Sequence, residues 1–387
     1  MLDRIMWPQT WRIPLRRKNQ EDAYIDSEKG HDVCYETKNP ISSVRTIGSS
    51  SSRHTKLQGS NWMSFVDGQT LISALSIPGT HDSAAFRRSW PFVQTQDMTI
   101  EAQLQAGIRY FDLRCGVRSD IVEMVHGISV LGITLDTILQ TMYAWLASAP
   151  SEALIVQIKE DRGPEASALP FAQAIANCIG QNPTRWRTDE TTPSLTELRG
   201  RIQLLRRYTT TSTAVGIDLT AWPNNPPAPF TITTGQNILT IQDHYTFPRT
   251  ETLPTLILKK GSDVVTMLEQ TLSNPDPNHW FLNFTSTYEF NLFHQITPWQ
   301  VAVGGYWNFH WQDGINSRIA MALGTGVGEQ RLGILIMDFP DKGVEGLIET
   351  VFRSNFGYRR DTSRMGWGWV VLFVFVSLAV LSFNNII

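Results

Sequence analysis

A rhythm that runs from about residue 61 to residue 355 constrains this chain most: short β-branched and apolar runs alternate with longer stretches of helical spacing. Parallel strands covered on both faces read as continuous apolar runs, and each crossover to a parallel neighbour needs a long connection, usually a helix. Eight runs read as strands: Leu71–Ile77, Tyr110–Leu113, Glu123–Val125, Ala153–Ile158, Ile202–Leu205, Ile238–Ile241, Trp280–Phe284 and Gly333–Met337. Helices are expected at Ile100–Ala106, Thr134–Ala147, Phe171–Ile179, Ser262–Leu272 and Val344–Phe352. The pattern predicts an α/β chain folded as a TIM-type (βα)8-like barrel, irregular because several connections show no helical pattern.

The flanks read differently. Residues 1–60 mix polar and charged side chains without sustained periodicity and include the run Ser49–Ser52, the composition of a flexible lead-in. The start, Met-Leu-Asp-Arg-Ile-Met-Trp-Pro, lacks the apolar core of a secretory signal and reads as unprocessed. At the other end, residues 356–365 form a basic linker with Arg359, Arg360 and Arg364, and within residues 366–387 the stretch Gly366–Phe383 is apolar apart from Ser377 and Ser382. That length is close to the roughly 20 residues that cross a bilayer as a helix. The expectation is a C-terminal transmembrane helix, a single-pass anchor, with the arginines keeping the catalytic domain on the cytoplasmic side. A buried terminal helix and a removed glycolipid-anchor tail are the alternatives.

Composition excludes some classes. A net charge of −3 gives no general field for polyanions, and no local basic patch stands out, so no nucleic-acid partner is expected. Cys34, Cys115 and Cys178 are odd in number and widely spaced, which fits neither a disulfide framework nor a paired-ligand zinc site.

Ionisable residues gather just beyond the C-terminal ends of the expected strands: His81 with Asp82, Asp112 with Arg114, His126, Lys159, Arg207, Asp243 and Asp338. Barrel enzymes build their sites at that end. Any one strand-end aspartate is more commonly a helix cap or a surface charge. Two histidines with an aspartate beside one and an arginine between them in sequence suit chemistry at a phosphodiester. One can take a proton from an attacking hydroxyl, the other can give one to the leaving alkoxide, and the guanidinium can hold the non-bridging oxygens. His54, His279 and His310 stand alone and read as packing or surface residues.

The run Ser76-Ile77-Pro78-Gly79-Thr80-His81-Asp82-Ser83 closely resembles the signature of the phosphatidylinositol-specific phospholipase C X-domain family, in its bacterial-type branch. The likeness continues in order through Phe111-Asp112-Leu113-Arg114, Val125-His126-Gly127, Ile158-Lys159-Glu160, Leu204-Leu205-Arg206-Arg207-Tyr208, Ile241-Gln242-Asp243-His244-Tyr245, Leu282-Asn283-Phe284-Thr285-Ser286 and Ile336-Met337-Asp338, covering about residues 61–345. The resemblance implies a lyase that releases diacylglycerol and inositol 1,2-cyclic phosphate from a phosphatidylinositol lipid at a membrane, acting as a monomer. By position it implies His81 as general base oriented by Asp338, and His126 as general acid supported by Asp82. It gives Arg114 as the phosphate-stabilising cation held by Asp112, and Lys159, Arg207, Asp243 and Tyr245 as ligands of the inositol ring. Of the adjacent arginines, Arg207 is chosen by counting back from Tyr208.

Arg114 stands where the calcium-dependent members of the family carry an acidic ligand, so the resemblance implies no metal and no cofactor. Two rival readings remain. A glycerophosphodiester phosphodiesterase would want His-Arg-Gly and Glu-x-Asp where this chain has His-Asp-Ser and Asp-x-Arg. A catalytically silent, membrane-anchored phosphoinositide-binding module would keep the same residues without the right geometry. Trp90, Phe92, Trp222, Phe230, Trp299, Trp307 and Trp311 are candidates for a membrane-docking rim, although interior packing is the commoner fate of aromatics. The sequon at Asn283 falls on an expected strand and reads as a buried asparagine.

Overall fold

Seven of the eight expected runs become neighbours in one curled parallel sheet, and the eighth does not. The computed structural model describes residues 56–86, 90–212, 215–247, 251–290, 295–324 and 329–356. In chain order its strands begin with β1 (Ile77–Thr80), β2 (Tyr110–Arg118), β3 (Ile121–His126), β4 (Ser129–Thr134), β5 (Leu154–Glu165), β6 (Trp186–Arg187), β7 (Ile202–Arg207) and β8 (Ile217–Asp218). They continue with β9 (Phe230–Thr234), β10 (Asn237–Gln242), β11 (His279–Phe284), β12 (Glu289–Phe290), β13 (Gln295–Ile296), β14 (Gly304–Trp307), β15 (His310–Asp313) and β16 (Ile334–Met337). The helices are α1 (Ile100–Ala106), α2 (Leu135–Ser148), α3 (Phe171–Gly180), α4 (Leu195–Leu198), α5 (Leu253–Ser273), α6 (Pro298–Ala302), α7 (Ile315–Gly324) and α8 (Leu347–Arg353).

The sheet runs in the order β6-β7-β5-β2-β1-β16-β11-β10-β9. From β7 to β10 every ladder is parallel, and β9 closes that flank antiparallel to β10. Core strands such as β1 and β16 are buried at every position, as expected where helices cover one face and barrel packing fills the other.

Two expectations about the barrel need correction. The run Glu123–Val125 lies in β3, an antiparallel arm off β2, and forms no barrel strand. The connection explains this: Ser119 and Asp120 both take left-handed backbone (φ 48° and 64°), the conformation of a two-residue hairpin turn that returns the chain beside β2. The run Leu71–Ile77 also shifts, because Ile72–Ala74 is a 3-10 turn and the strand begins only at Ile77. Side chains hold that turn: Ser76 N–H donates to Asn355 Oδ1 and Arg331 Nη2 donates to Ser73 O. The ends of the sheet at β8 and β9 share no ladder among the described residues, so the TIM-like barrel is open there.

Local chemistry sets the helix boundaries. Thr99, Thr134 and Thr252 cap α1, α2 and α5 through their side-chain oxygens, and Ser194 and Thr297 form capping boxes with Glu197 and Gln300. Each such cap is worth about 1 kcal/mol. At the C-terminus of α1, Gly107 has φ 115°, and any Cβ there would meet the Phe352 ring at 3.0 Å.

The expected transmembrane helix is also corrected. Among the described residues no helix is long and apolar enough to cross a membrane. The longest helix, α5, carries Lys259, Lys260, Asp263 and Glu269 and lays its apolar stripe against the sheet. The single-pass anchor, and the cytoplasmic placement that rested on it, therefore have no support from the fold. The segments 357–365 and 366–387, like most of the lead-in, lie outside the described residues.

Candidate active site

Parallel strands deliver their C-terminal ends to one rim, so residues on or just after the ends of β1, β2, β5, β7, β10 and β16 meet there, and the antiparallel return of β3 along β2 brings His126 back to the same rim. His81 follows β1, and its backbone is fixed before its side chain is considered. His81 N–H donates to Met337 O at 3.0 Å, and Gln96 Nε2 donates to His81 O at 2.8 Å and to Met337 O at 2.9 Å. The next residue, Asp82, sits in left-handed backbone at φ 41°, and Phe339, following Asp338, does the same at φ 43°. Such positions carry strain and persist where surroundings over-determine them. At Asp82 the fixing groups are Asp112, which accepts Asp82 N–H, and Thr95, which donates to Asp82 O. At Asp338 the fixing group is Asn316, whose Nδ2 donates to the carbonyls of Asp338 and Phe339.

The His81 ring is held on both nitrogens. Nδ1 lies 2.8 Å from Asp338 Oδ1, and Nε2 lies 2.6 Å from Arg114 Nη2. A guanidinium only donates, so Nε2 presents a lone pair and the ring proton sits on Nδ1, facing the carboxylate. Phe284 packs edge-on against the same ring at 6.1 Å.

Arg114 reaches across two carboxylates, with Nε 3.3 Å from Asp112 Oδ2 and 3.8 Å from Asp82 Oδ2. Burial works against its charge, yet Asp112, Asp82, Asp161 and Asp243 together raise its proton affinity above the ordinary arginine value. Asp112 is fully buried, and burial pushes its carboxyl up. Arg114, His81 and Arg207 outweigh that and hold it below the usual range. Gln157 Nε2 completes its shell by donating to Oδ1 at 2.6 Å. At Asp82 burial prevails and its carboxyl is raised despite His126, Arg114 and His81.

His126 ends β3. Its Nδ1 donates to Val93 O at 2.8 Å, and Asp82 Oδ2 lies 3.1 Å from the same nitrogen but off the hydrogen-bond direction, a charge contact only. Nε2 is thereby left toward the rim. On that side opens a cleft of about 470 Å³ whose walls include Trp90, Phe92, His126, Ile128, Tyr288 and Phe290. Trp90, Phe92 and Phe290 pack edge to face, with Phe92 and Phe290 centroids 4.9 Å apart.

Of the four expected ring ligands, Arg207 and Asp243 share a contact through Trp222, and Lys159 and Tyr245 are held separately. Lys159 Nζ donates to Asp161 Oδ1 at 2.5 Å. Arg207 lies flat over Trp222 at 3.9 Å, while Trp222 Nε1 donates to Asp243 Oδ2 at 2.9 Å. Tyr245 Oη donates to Asn224 Oδ1 at 2.7 Å. The neighbouring Arg206 turns the other way, onto Asp218 and Tyr208 O, as alternation along a strand requires. Of the aromatic candidates, Trp90 and Trp311 are exposed, whereas Trp222 is buried and Phe230 packs on it. Asn283 is buried and donates to Val264 O.

Sequence reasoning missed Asp161. Its Oδ2 accepts Gly127 N–H at 2.8 Å, and although burial pushes its carboxyl up, Arg114 and Lys159 hold it down to about 2. Its position two residues after Lys159 on β5, hence on the same face, was the available signal. Gln157, Gln96 and Phe284 carried no such signal, since their roles depend on strand neighbours distant in sequence.

The chain is also similar to known proteins. A family model described as "Phosphatidylinositol-specific phospholipase C, X domain" matches residues 75–208. The 1-phosphatidylinositol phosphodiesterase of Listeria monocytogenes is 30% identical over 305 residues, which cover 76% of this chain and 84% of that protein. The protein of the same name from Staphylococcus aureus is 24% identical over 315 residues, covering 76% and 94%. Among solved structures, the Listeria phosphatidylinositol-specific phospholipase C aligns with TM-score 0.57 at 25% identity over 77% of this chain and 99% of its own. A variant of the Staphylococcus enzyme aligns with TM-score 0.65 at 23% identity, over 77% and 98%, a likeness of fold.

Proposed function

This chain belongs to the bacterial-type phosphatidylinositol-specific phospholipase C X-domain family, and from that premise we propose how its residues perform the reaction. It is an enzyme, a phospholipase C of the phosphatidylinositol-specific kind. The observation that carries the mechanism is the His81 ring, gripped between the Asp338 carboxylate and the Arg114 guanidinium.

His81 Nε2 takes the proton of the inositol 2-hydroxyl, and Asp338 balances the imidazolium that results. The 2-oxygen attacks phosphorus while Arg114 turns from His81 to the non-bridging oxygens, where its fork meets the gathering negative charge. As the bond from phosphorus to the glycerol oxygen breaks, His126 Nε2 gives that oxygen its proton. Val93 O holds His126 by Nδ1, and Asp82 Oδ2 lies 3.1 Å from the same nitrogen. The products are inositol 1,2-cyclic phosphate and diacylglycerol, and water returns the two histidines to their starting states. In this scheme Arg114 fills the place between Asp82 and Asp112 that a cation would need, and no metal takes part.

Lys159, Arg207, Asp243 and Tyr245 bind the ring hydroxyls, with the buried Trp222 holding Arg207 against its ring and Asp243 through Nε1. The apolar cleft on the His126 side suits the glycerol and acyl chains of the leaving group. Trp90, Ile128 and Phe290 around it are exposed, which supports docking of this rim on a membrane surface.

The test is phosphorus NMR of the purified protein with phosphatidylinositol micelles in excess EDTA. A five-membered cyclic phosphate signal is the expected result. Activity restored only by calcium would overturn the role given to Arg114, and headgroup binding without turnover would leave a silent binding module.

A further inference from the structure

Helix α5 lays a stripe of Leu253, Leu256, Ile257, Val264 and Leu268 against the sheet, and Lys260 interrupts it with no exposed surface at all. A lysine is almost never fully buried without a carboxylate partner, and among the described residues none lies within ion-pair distance of this one. Its Nζ instead donates to two neutral acceptors, Gln242 Oε1 at 2.9 Å and His244 O at 2.8 Å. These two residues flank Asp243. Burial lowers the lysine's proton affinity to about 8, against the pull of Asp243, Asp263 and Asp338.

A methionine or leucine would cover the same helix face without desolvating an ammonium, so stability of the stripe does not explain the residue. What it holds does. Gln242 Oε1 also accepts His244 N–H, and Gln242 Nε2 donates to Asn283 Oδ1 and Phe284 O at the end of the adjacent strand. One ammonium thus bolts the chain on both sides of Asp243 to helix α5, just where β10 ends and the chain turns toward Tyr245.

We propose that Lys260 is a positioning residue for headgroup recognition: by clamping Gln242 and the His244 carbonyl it aims Asp243 and Tyr245 at the hydroxyls of the inositol ring. The inference rests on the reading of Asp243 and Tyr245 as ring ligands. It adds that their placement is set by a buried cation on the opposite side of the strand end.

The experiment replaces Lys260 by methionine, close in shape and without donors, in the full chain. Competitive inhibition by myo-inositol is measured during turnover of phosphatidylinositol micelles, with the melting temperature alongside. The inhibition constant and KM should each rise about tenfold while kcat changes much less, the pattern of lost ground-state binding. In an Asp243→Asn background the same replacement should cost less than it does in the parent, because the part that acts through Asp243 is already gone and only the placement of Tyr245 is left to lose. An unchanged inhibition constant in a folded Lys260→Met protein would overturn the proposal, as would full additivity with Asp243→Asn. Lys260→Gln, which keeps a donor, should fall between the two. If neither variant folds, the lysine is structural and the proposal fails. An inactive parent protein would instead sink the reading of the site, so the two failures are distinguishable.

Discussion

Arg114 Nη2 stands 2.6 Å from Nε2 of His81, on the face opposite the 2.8 Å contact between Nδ1 and Asp338. Because a guanidinium cannot accept a hydrogen bond, this contact fixes the tautomer: the ring proton faces Asp338 and the Nε2 lone pair faces Arg114. In the proposed mechanism this pair is a base and its electrostatic partner, assembled before substrate arrives.

Asp338→Asn should keep the fold and lose most of the turnover. An amide can accept the Nδ1 proton but cannot balance an imidazolium, and it can flip to stabilise the wrong tautomer. A fall in kcat of about 10²–10⁴-fold is expected, the range of acid–base contributions. Turnover of single-time-point micelle assays within a few-fold of the parent would remove Asp338 from the mechanism.

His126→Ala should be sensitive to the leaving group. With phosphatidylinositol the loss should reach about 10³-fold, since the glycerol alkoxide needs its proton. With a 4-nitrophenyl ester of inositol phosphate, whose phenolate leaves unaided, the loss should shrink to about tenfold or less. Equal losses on both substrates would mean that His126 serves some step other than leaving-group protonation.

Arg114→Lys keeps the charge and removes the fork. It also empties the contact that bridges Asp112 and His81, so kcat should drop by about 10²–10³-fold. The circular dichroism and melting curve should stay near those of the parent.

Asp161→Asn tests an ionised carboxylate buried beside Lys159. Its proton affinity in the fold, about 2, lies below the ordinary value of 3.8. A depressed value stabilises the fold above the unfolded-state value, and that contribution is lost as pH falls through the folded one. The parent should therefore exceed Asp161→Asn by about 2 kcal/mol in urea unfolding at pH 6, with the gap narrowing between pH 4 and pH 2. A gap that stays constant with pH would show that the carboxylate's charge is not what matters.

Phe309 is 99% exposed at the tip of the β14–β15 hairpin, with φ 67° after Asn308 at φ 48°. Asn-Gly is the favoured pair for that turn. Phe309→Gly should raise stability by about 0.5–1 kcal/mol in thermal or urea unfolding.

The sequence by itself determined the alternation of strands and helices, and it placed the start of six of the seven parallel strands to within one residue, because burial on both faces leaves a continuous apolar run, while the run Leu71–Ile77 began six residues ahead of its strand. It also marked His81, Asp82, Asp112, Arg114, His126 and Asp338 for attention, since each belongs to a local block at a strand end. It misjudged Glu123–Val125, where an apolar run cannot announce the direction of its neighbour, and the turn at Ser119 and Asp120 decides for a hairpin. It read a membrane helix from hydropathy alone, a property that lies outside the described barrel. What only the tertiary structure decided is which groups touch: the tautomer of His81, the grip of Asp161 on Lys159, the aromatic cleft beside His126 and the buried Lys260 behind Asp243. Each depends on side chains brought together from distant strands, or from a strand and the helix packed on it, and chain order encodes no such distance until the sheet has formed.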